Sequence, residues 1–160
     1  MAWTTNIATG SLIASATIRD GLNNAIAMNI GGTSPDALKL ALYDVTATPS
    51  QDTDPMEYNV APWASGEVTG TNWPAGGVAL AGNALTLLAG TGIKFTATNV
   101  SVASTTIATG AYGCLIYDTQ TGLANRVICA VYFGGTGYTT NNGTFGITWN
   151  ASGIFTVTLH

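Results

Sequence analysis

Histidine is almost missing from this chain: in 160 residues there is only His160. Charge is scarce too, with eight acidic and four basic side chains, 8 % of the total, where a typical soluble domain carries about 25 %. These shortages remove whole classes of chemistry. A serine, threonine or cysteine nucleophile needs an activating base, and a Ser-His-Asp arrangement has no middle member here. Cys114 and Cys129 have no histidine to lower their pKa. The four cations, Arg19, Lys39, Lys94 and Arg126, are scattered and the net charge is −4. Nucleic acid, which is gripped by clustered Lys and Arg, is therefore not an expected partner.

Two cysteines are too few for a disulfide framework. They fall in adjacent expected strands, where they could face each other if the hairpin register suits, and the favoured reading is two buried thiols packed like small hydrophobes. No apolar stretch approaches the roughly 18 residues of a membrane span, so no membrane partner is expected. Met1-Ala-Trp-Thr-Thr-Asn6 lacks the positive charge and apolar core of a signal peptide, which points to a cytosolic origin.

What is present is glycine, alanine, threonine, serine, asparagine and branched aliphatics. The length suits one compact domain that buries about 70 % of the surface its unfolded chain exposes. An exterior of uncharged polar residues gives copies little mutual repulsion, which favours a surface occupied by neighbours. Residues 1–35 read as an N-terminal arm and helix, and 36–160 as a β-sandwich domain. Ile18, Leu22, Ala25 and Ile26 recur at helical spacing, predicting a helix over roughly 14–28. Ser15 or Thr17 would cap it and Gly31-Gly32 would end it. Gly21 inside weakens it by about 1 kcal/mol relative to alanine.

From Leu38 the period becomes two, with Leu38, Leu40 and Leu42 marking one face of a strand. A long loop, Asp44–Trp63, follows, with room for a short strand at Tyr58–Val60. Connections this long are uncommon and suggest a contact element. Further strands are predicted near 76–81, 84–89, 93–97, 100–103, 111–118, 126–133, 144–149 and 153–159. Gly82-Asn83 reads as a two-residue hairpin turn, and Asn150–Gly153 as the turn of a last hairpin. Gly134 to Asn142 reads as a loop. The clearest hairpin spans Tyr112 to Phe133, with Tyr112, Cys114, Ile116, Val127, Cys129 and Val131 on one face. Short strands joined by short turns predict a mainly β fold with antiparallel pairing. The expected architecture is an antiparallel β-sandwich or jelly-roll-like barrel with a short N-terminal helix.

The candidate sites are few. Asp52, Asp54 and Glu57 could offer oxygen ligands to Ca²⁺, but their spacing is not that of an EF-hand and suits a solvated turn. Asp44, Glu67 and Asp118 are the carboxylates available for glycoside chemistry, yet no motif ties any two together. Gly134-Gly135-Thr136-Gly137 has no following Lys-Ser/Thr pair and reads as a turn, not a phosphate cradle. Asn99, Asn142 and Asn150 each begin an Asn-x-Ser/Thr triplet, meaningful only in a secreted eukaryotic protein. Trp63, Trp73 and Tyr138 fall in expected loops, where an aromatic could cover the sandwich edge or anchor a partner. Trp3 lies in the arm, and Trp149 follows the core alternation of Phe145 and Ile147. Trp3, Trp63, Trp73 and Tyr138 are the candidate contact residues. No catalytic, metal or cofactor residue is expected.

Several segments carry a family likeness: Asp36-Ala-Leu-Lys-Leu-Ala-Leu-Tyr43, Gly66-Glu-Val-Thr-Gly70 and Trp73-Pro-Ala-Gly-Gly-Val-Ala-Leu80, then Gly143-Thr-Phe-Gly-Ile-Thr-Trp-Asn150 and Gly153-Ile-Phe-Thr-Val157. In this order, and from about Asp36 onward, the chain resembles small virion structural proteins of tailed bacteriophages, often capsid decoration or cement subunits. The resemblance implies no enzyme and no cofactor. It implies a virion protein made in the host cytoplasm, with the major capsid protein and its own copies (a trimer or dimer) as partners. The arm through Met28 and the Asp44–Trp63 loop are then the expected contact elements. The main alternative is a tail or fibre module that recognises a host-surface glycan through Trp63, Trp73 and Tyr138. A secreted fimbrial subunit is less favoured, for want of a signal sequence.

Overall fold

A computed structural model describes residues 11–47, 50–90 and 92–158. The chain is mainly β, with antiparallel sheets and one short N-terminal helix. The elements are β1 (Leu12–Ile13), α1 (Ser15–Leu22), β2 (Leu38–Tyr43), β3 (Glu67–Val68), β4 (Val78–Leu80) and β5 (Ala84–Leu88). They continue with β6 (Gly92–Thr96), β7 (Val100–Ala111), β8 (Gly113–Asp118), β9 (Val127–Tyr132), β10 (Tyr138–Ile147) and β11 (Phe155–Thr158). The main sheet runs β1-β9-β8-β2-β3, with β4 also on β2. Two smaller sheets accompany it, β11-β6-β5 and the two-stranded ribbon β10-β7.

Strand β8 explains the layering. All six of its residues, from Gly113 to Asp118, are buried, so both faces of the sheet are covered, as a continuous apolar run requires. Because side chains alternate across a strand, Leu38, Leu40, Leu42, Cys114, Ile116 and Cys129 enter one core. That core is completed by Trp73, Phe95, Val100, Ile107, Phe145 and Ile147 from the small sheets and their approaches. Ala41, Tyr43, Leu115, Tyr117, Val127 and Ala130 point the other way and are covered by Leu12, Ala14, Ala47, Met56 and Trp63. The sandwich thus has an extra layer, made of the helix approach and the 44–63 loop.

Several expectations change. The helix stops at Leu22 rather than Met28, because Asn23 and Asn24 turn the chain and Asn24 takes a left-handed φ of 54°. Its N-cap is Ala14, without a side-chain cap. Thr17 lies inside the helix, and its buried hydroxyl donates to the Val127 carbonyl at 2.6 Å. Gly82-Asn83 is not a hairpin turn: β4 pairs with β2 and β5 with β6, so this corner carries the chain between sheets. Asn83 Nδ2 fastens it by donating to the Ile30 carbonyl at 2.9 Å. Asn150–Gly153 does turn, with Gly153 N–H donating to Asn150 O at 2.8 Å. Its flanking strands part, however, β10 joining β7 and β11 joining β6.

The Tyr112–Phe133 hairpin forms as β8 and β9. A register shift between Ile116 and Tyr117 moves Val127 to the face of Leu115 and Tyr117, and Tyr112 precedes the strand. Tyr58–Val60 forms no strand; its neighbour Glu57 makes a lone bridge to Arg126. The expected strand at 100–103 extends to Ala111, and half of the expected 134–142 loop is strand, since β10 begins at Tyr138. Cys114 and Cys129 are free and buried. Each thiol is pushed up by burial, as packed, unreactive side chains are.

Candidate contact surfaces

The sequence's candidate residues are dispersed rather than gathered. Trp63, at the end of the 44–63 loop, is 1 % exposed. Its ring meets Tyr43 edge-on at 5.1 Å, and the Tyr43 hydroxyl donates to its carbonyl at 3.0 Å. Trp73 is 0 % exposed and meets Phe145 edge-on at 5.3 Å. Both tryptophans are core anchors of this chain, not surface platforms. Trp149 is half-buried, its Nε1 donating to the Thr98 carbonyl at 3.1 Å. Tyr138 alone of the expected platforms is open, 49 % exposed and edge-on to Phe133 at 6.1 Å. Trp3 lies outside the described residues.

The 44–63 loop also has work to do within the fold. Ala47, Met56 and Trp63 seal the second face of the main sheet. Arg19 on the helix clasps the loop, donating to both Asp54 oxygens at 2.7 and 3.1 Å while also reaching Asp20. Ala47, Met56 and Trp63 are the loop's buried anchors, while most of its other described residues, Val45 and Val60 among them, stay exposed.

The acidic residues are structural ties. Asp44 accepts from the N–H and hydroxyl of Thr46 at 2.7 and 2.6 Å. Glu67 accepts from the Tyr58 hydroxyl at 2.8 Å and from Gly76 N–H at 2.6 Å. Asp118 is buried and accepts from Gln120 N–H at 2.8 Å. Burial, with Asp36 alongside, pushes its carboxyl up to about 6, although the Gln120 N–H pulls the other way. Among the described residues no cluster of three or more His, Cys, Asp or Glu side chains could hold a metal ion.

Two surfaces do stand out, and the sequence pointed directly to neither. The first is an open groove of about 710 Å³. Tyr138–Thr140, the unbroken run Thr144–Asn150, Val131, Tyr132, Phe133 and Ile154 line it. None of its lining side chains carries a charge. The second lies on the sheet β11-β6-β5. Register sets Leu85, Phe95 and Phe155 in one cross-strand row and Leu87, Ile93 and Val157 in the next. Phe95 is fully buried, whereas Leu87 is 87 % exposed. The apolar stripe of this sheet therefore runs past the end of the core. The signal in the sequence was alternation in Ala84–Leu88 and Gly92–Thr96, which marks a face without saying where its cover ends.

No family profile, no curated protein and no solved structure matches this chain.

Proposed function

We propose that this chain is a non-enzymatic virion structural protein of a bacteriophage, a capsid decoration or cement subunit that stabilises the shell. The resemblance described above supplies the class, and one observation carries the mode of action. In the Leu87–Ile93–Val157 row Leu87 is 87 % exposed while Ile93 and Val157 are half-buried, so apolar surface is open at the Leu87 end of the row. A scattered exposed leucine is ordinary, but a cross-strand row continuing a core stripe is the form an interface takes. Seated against the major capsid protein, the row leaves water and makes opening of the shell cost more. Attachment needs an interface of about 1,600 Å², and repeated copies on a lattice, each also touching a second copy, add avidity without new chemistry. The glycan-binding alternative relied on three aromatics, of which Trp63 and Trp73 are buried, and no observation here favours it.

The test is the copy number of this protein per purified particle, by quantitative mass spectrometry against the major capsid protein. Copies comparable to the capsid protein support a shell role, whereas a handful move the chain to the tail. Leu87→Asp, which places a charge on the row, is expected to lower particle occupancy at least tenfold while leaving the circular dichroism spectrum unchanged. Full occupancy by the folded variant removes the row from the interface.

A further inference from the structure

The groove beside β10 has the geometry of a berth for a strand. Side chains alternate across a strand, so one face shows every second residue. Here Thr144–Ile147, the last four residues of β10, all line the groove in sequence, followed by Thr148–Asn150 beyond the strand, so the groove follows the edge at the end of β10. Strand β10 is paired with β7 and with no other strand among the described residues. On its free side, alternate residues direct N–H and C=O groups outward, where water or another strand must satisfy them. Native edges are commonly guarded by lysine or proline. The groove lining has neither, although register shifts break the ladder as far as Phe145 and leave Phe145–Ile147 regular.

The position of β1 says what can reach this edge. Leu12 pairs with Ala130 and Ile13 with Cys129, antiparallel. Ser11 continues the line, its hydroxyl accepting from Tyr132 N–H at 3.1 Å. Read from Ile13 to Ser11, the chain therefore advances along β9 toward Val131, Tyr132 and Phe133, and these three residues line the groove. The register of β1 thus aims the described chain, at Ser11, toward this lining.

We propose that the groove along the free edge of β10 is the docking site for residues 1–10 of the same chain. The segment Met1-Ala-Trp-Thr-Thr-Asn-Ile-Ala-Thr-Gly10 matches the groove in three respects. It has no charged side chain, so no side-chain charge need be desolvated against an uncharged lining. Its Trp3, Thr5 and Ile7 are residues that suit strands and share one face at period two. Ten residues extend at most about 33–36 Å, and the ten residues of β10 span about 34 Å, so the tether is long enough to follow the edge. Trp3 and Ile7 would cover the apolar floor around Phe133, Phe145 and Trp149. This inference is independent of the virion reading, because it concerns a contact within one molecule.

The experiment is ¹⁹F NMR on the whole chain grown with 5-fluorotryptophan, which gives separate resonances for Trp3, Trp63, Trp73 and Trp149. The expected result is a Trp3 resonance displaced from free 5-fluorotryptophan. It should return to the free position in Tyr138→Asp, while the Trp63 and Trp73 resonances hold and report an intact core. A Trp3 resonance already at the free position in the unsubstituted chain overturns the proposal. Should Tyr138→Asp disturb the core, a chain beginning at Gly10 is titrated with a synthetic peptide of residues 1–10. Saturable movement of the Trp149 resonance, weakened at least tenfold by Trp3→Ala in the peptide, supports docking, and no movement overturns it. Sedimentation equilibrium closes the test. A monomer supports the same-chain placement, whereas a dimer that loss of residues 1–9 dissolves places the segment in a second copy and overturns it. Loss of particle occupancy in Leu87→Asp with Trp3 still docked separates the two readings.

Discussion

The β2-β8-β9 centre and the β7-β10 ribbon are both antiparallel and both belong to the same sandwich, yet they are held by different forces. In the centre, β8 is buried along its full length and its neighbours meet it in near-continuous register. Ribbon β10 alternates exposed threonine and asparagine with the buried Phe145 and Ile147, and its register slips three times. The slips come with local hydrogen bonds that hold them. Buried Thr105 donates to the Gly143 carbonyl at 3.1 Å and meets the Thr140 hydroxyl at 2.9 Å. The Thr140 hydroxyl in turn accepts from Ile107 N–H at 3.2 Å. Apolar area specifies the centre, whereas hydroxyl geometry specifies the ribbon, one edge of which pairs with no other strand among the described residues. The two candidate surfaces lie away from the centre, on β10 and on the sheet β11-β6-β5.

That contrast can be broken by substitution. Ile116→Ala, in the fully buried β8, is expected to lower the unfolding free energy by about 2–5 kcal/mol in urea denaturation, from lost apolar transfer and a residual cavity. A loss below about 1 kcal/mol would mean that the centre collapses around the gap and is not the rigid half of the pair. Thr105→Val keeps the shape and removes the hydroxyl, so the Gly143 carbonyl and the Thr140 hydroxyl lose a partner. The expected cost is about 1–3 kcal/mol, with faster hydrogen exchange at the Ile107 and Asn142 amides than at β8 amides. Uniform acceleration across both regions would show that the ribbon is not a separately held unit.

The legibility of the sequence follows the same division. Apolar periodicity placed β2, β5, β6, β8, β9 and β11 within a residue or two, because burial imposes the alternation that a reader can count. The same counting failed for β10, where Tyr138-Thr-Thr-Asn-Asn-Gly143 looks like a loop. Its strand character comes from pairing with β7 and from hydroxyls that only the folded chain brings together. Pairing partners were misjudged for a related reason. Gly82-Asn83 and Asn150–Gly153 are sound turn sequences, but a turn fixes a change of direction and not the strand that follows alongside. Trp63 fell within a segment of loop composition and is nevertheless core, since the second face of the main sheet needed a cover from outside any strand. The candidate surfaces were the least legible part. An edge with no partner strand among the described residues and a row open at its Leu87 end depend on what lies beside a strand, and composition does not record that.

The smallest expected effect lies at one end of the centre, where Asp118 ends β8 in a buried position beside Asp36. Burial lifts its carboxyl from the ordinary 3.8 to about 6 in the folded chain. Between those two values the folded chain holds a proton that the unfolded chain has released. The slope of unfolding free energy with pH follows the protons bound by the unfolded state minus those bound by the folded state, and for this group it is negative. Its contribution is fully present below pH about 4 and is lost as pH rises through about 6. This runs opposite to the usual salt-bridged aspartate such as Asp54, whose carboxyl Arg19 holds low. Asp118→Asn removes the titration, so the difference in midpoint between wild type and variant should change across pH 4–7 and level off above it. A difference that stays constant over that range would mean that Asp118 ionises as freely folded as unfolded. The end of β8 would then be as open to water as the ribbon edge, and the contrast between the two regions would not extend to their ends.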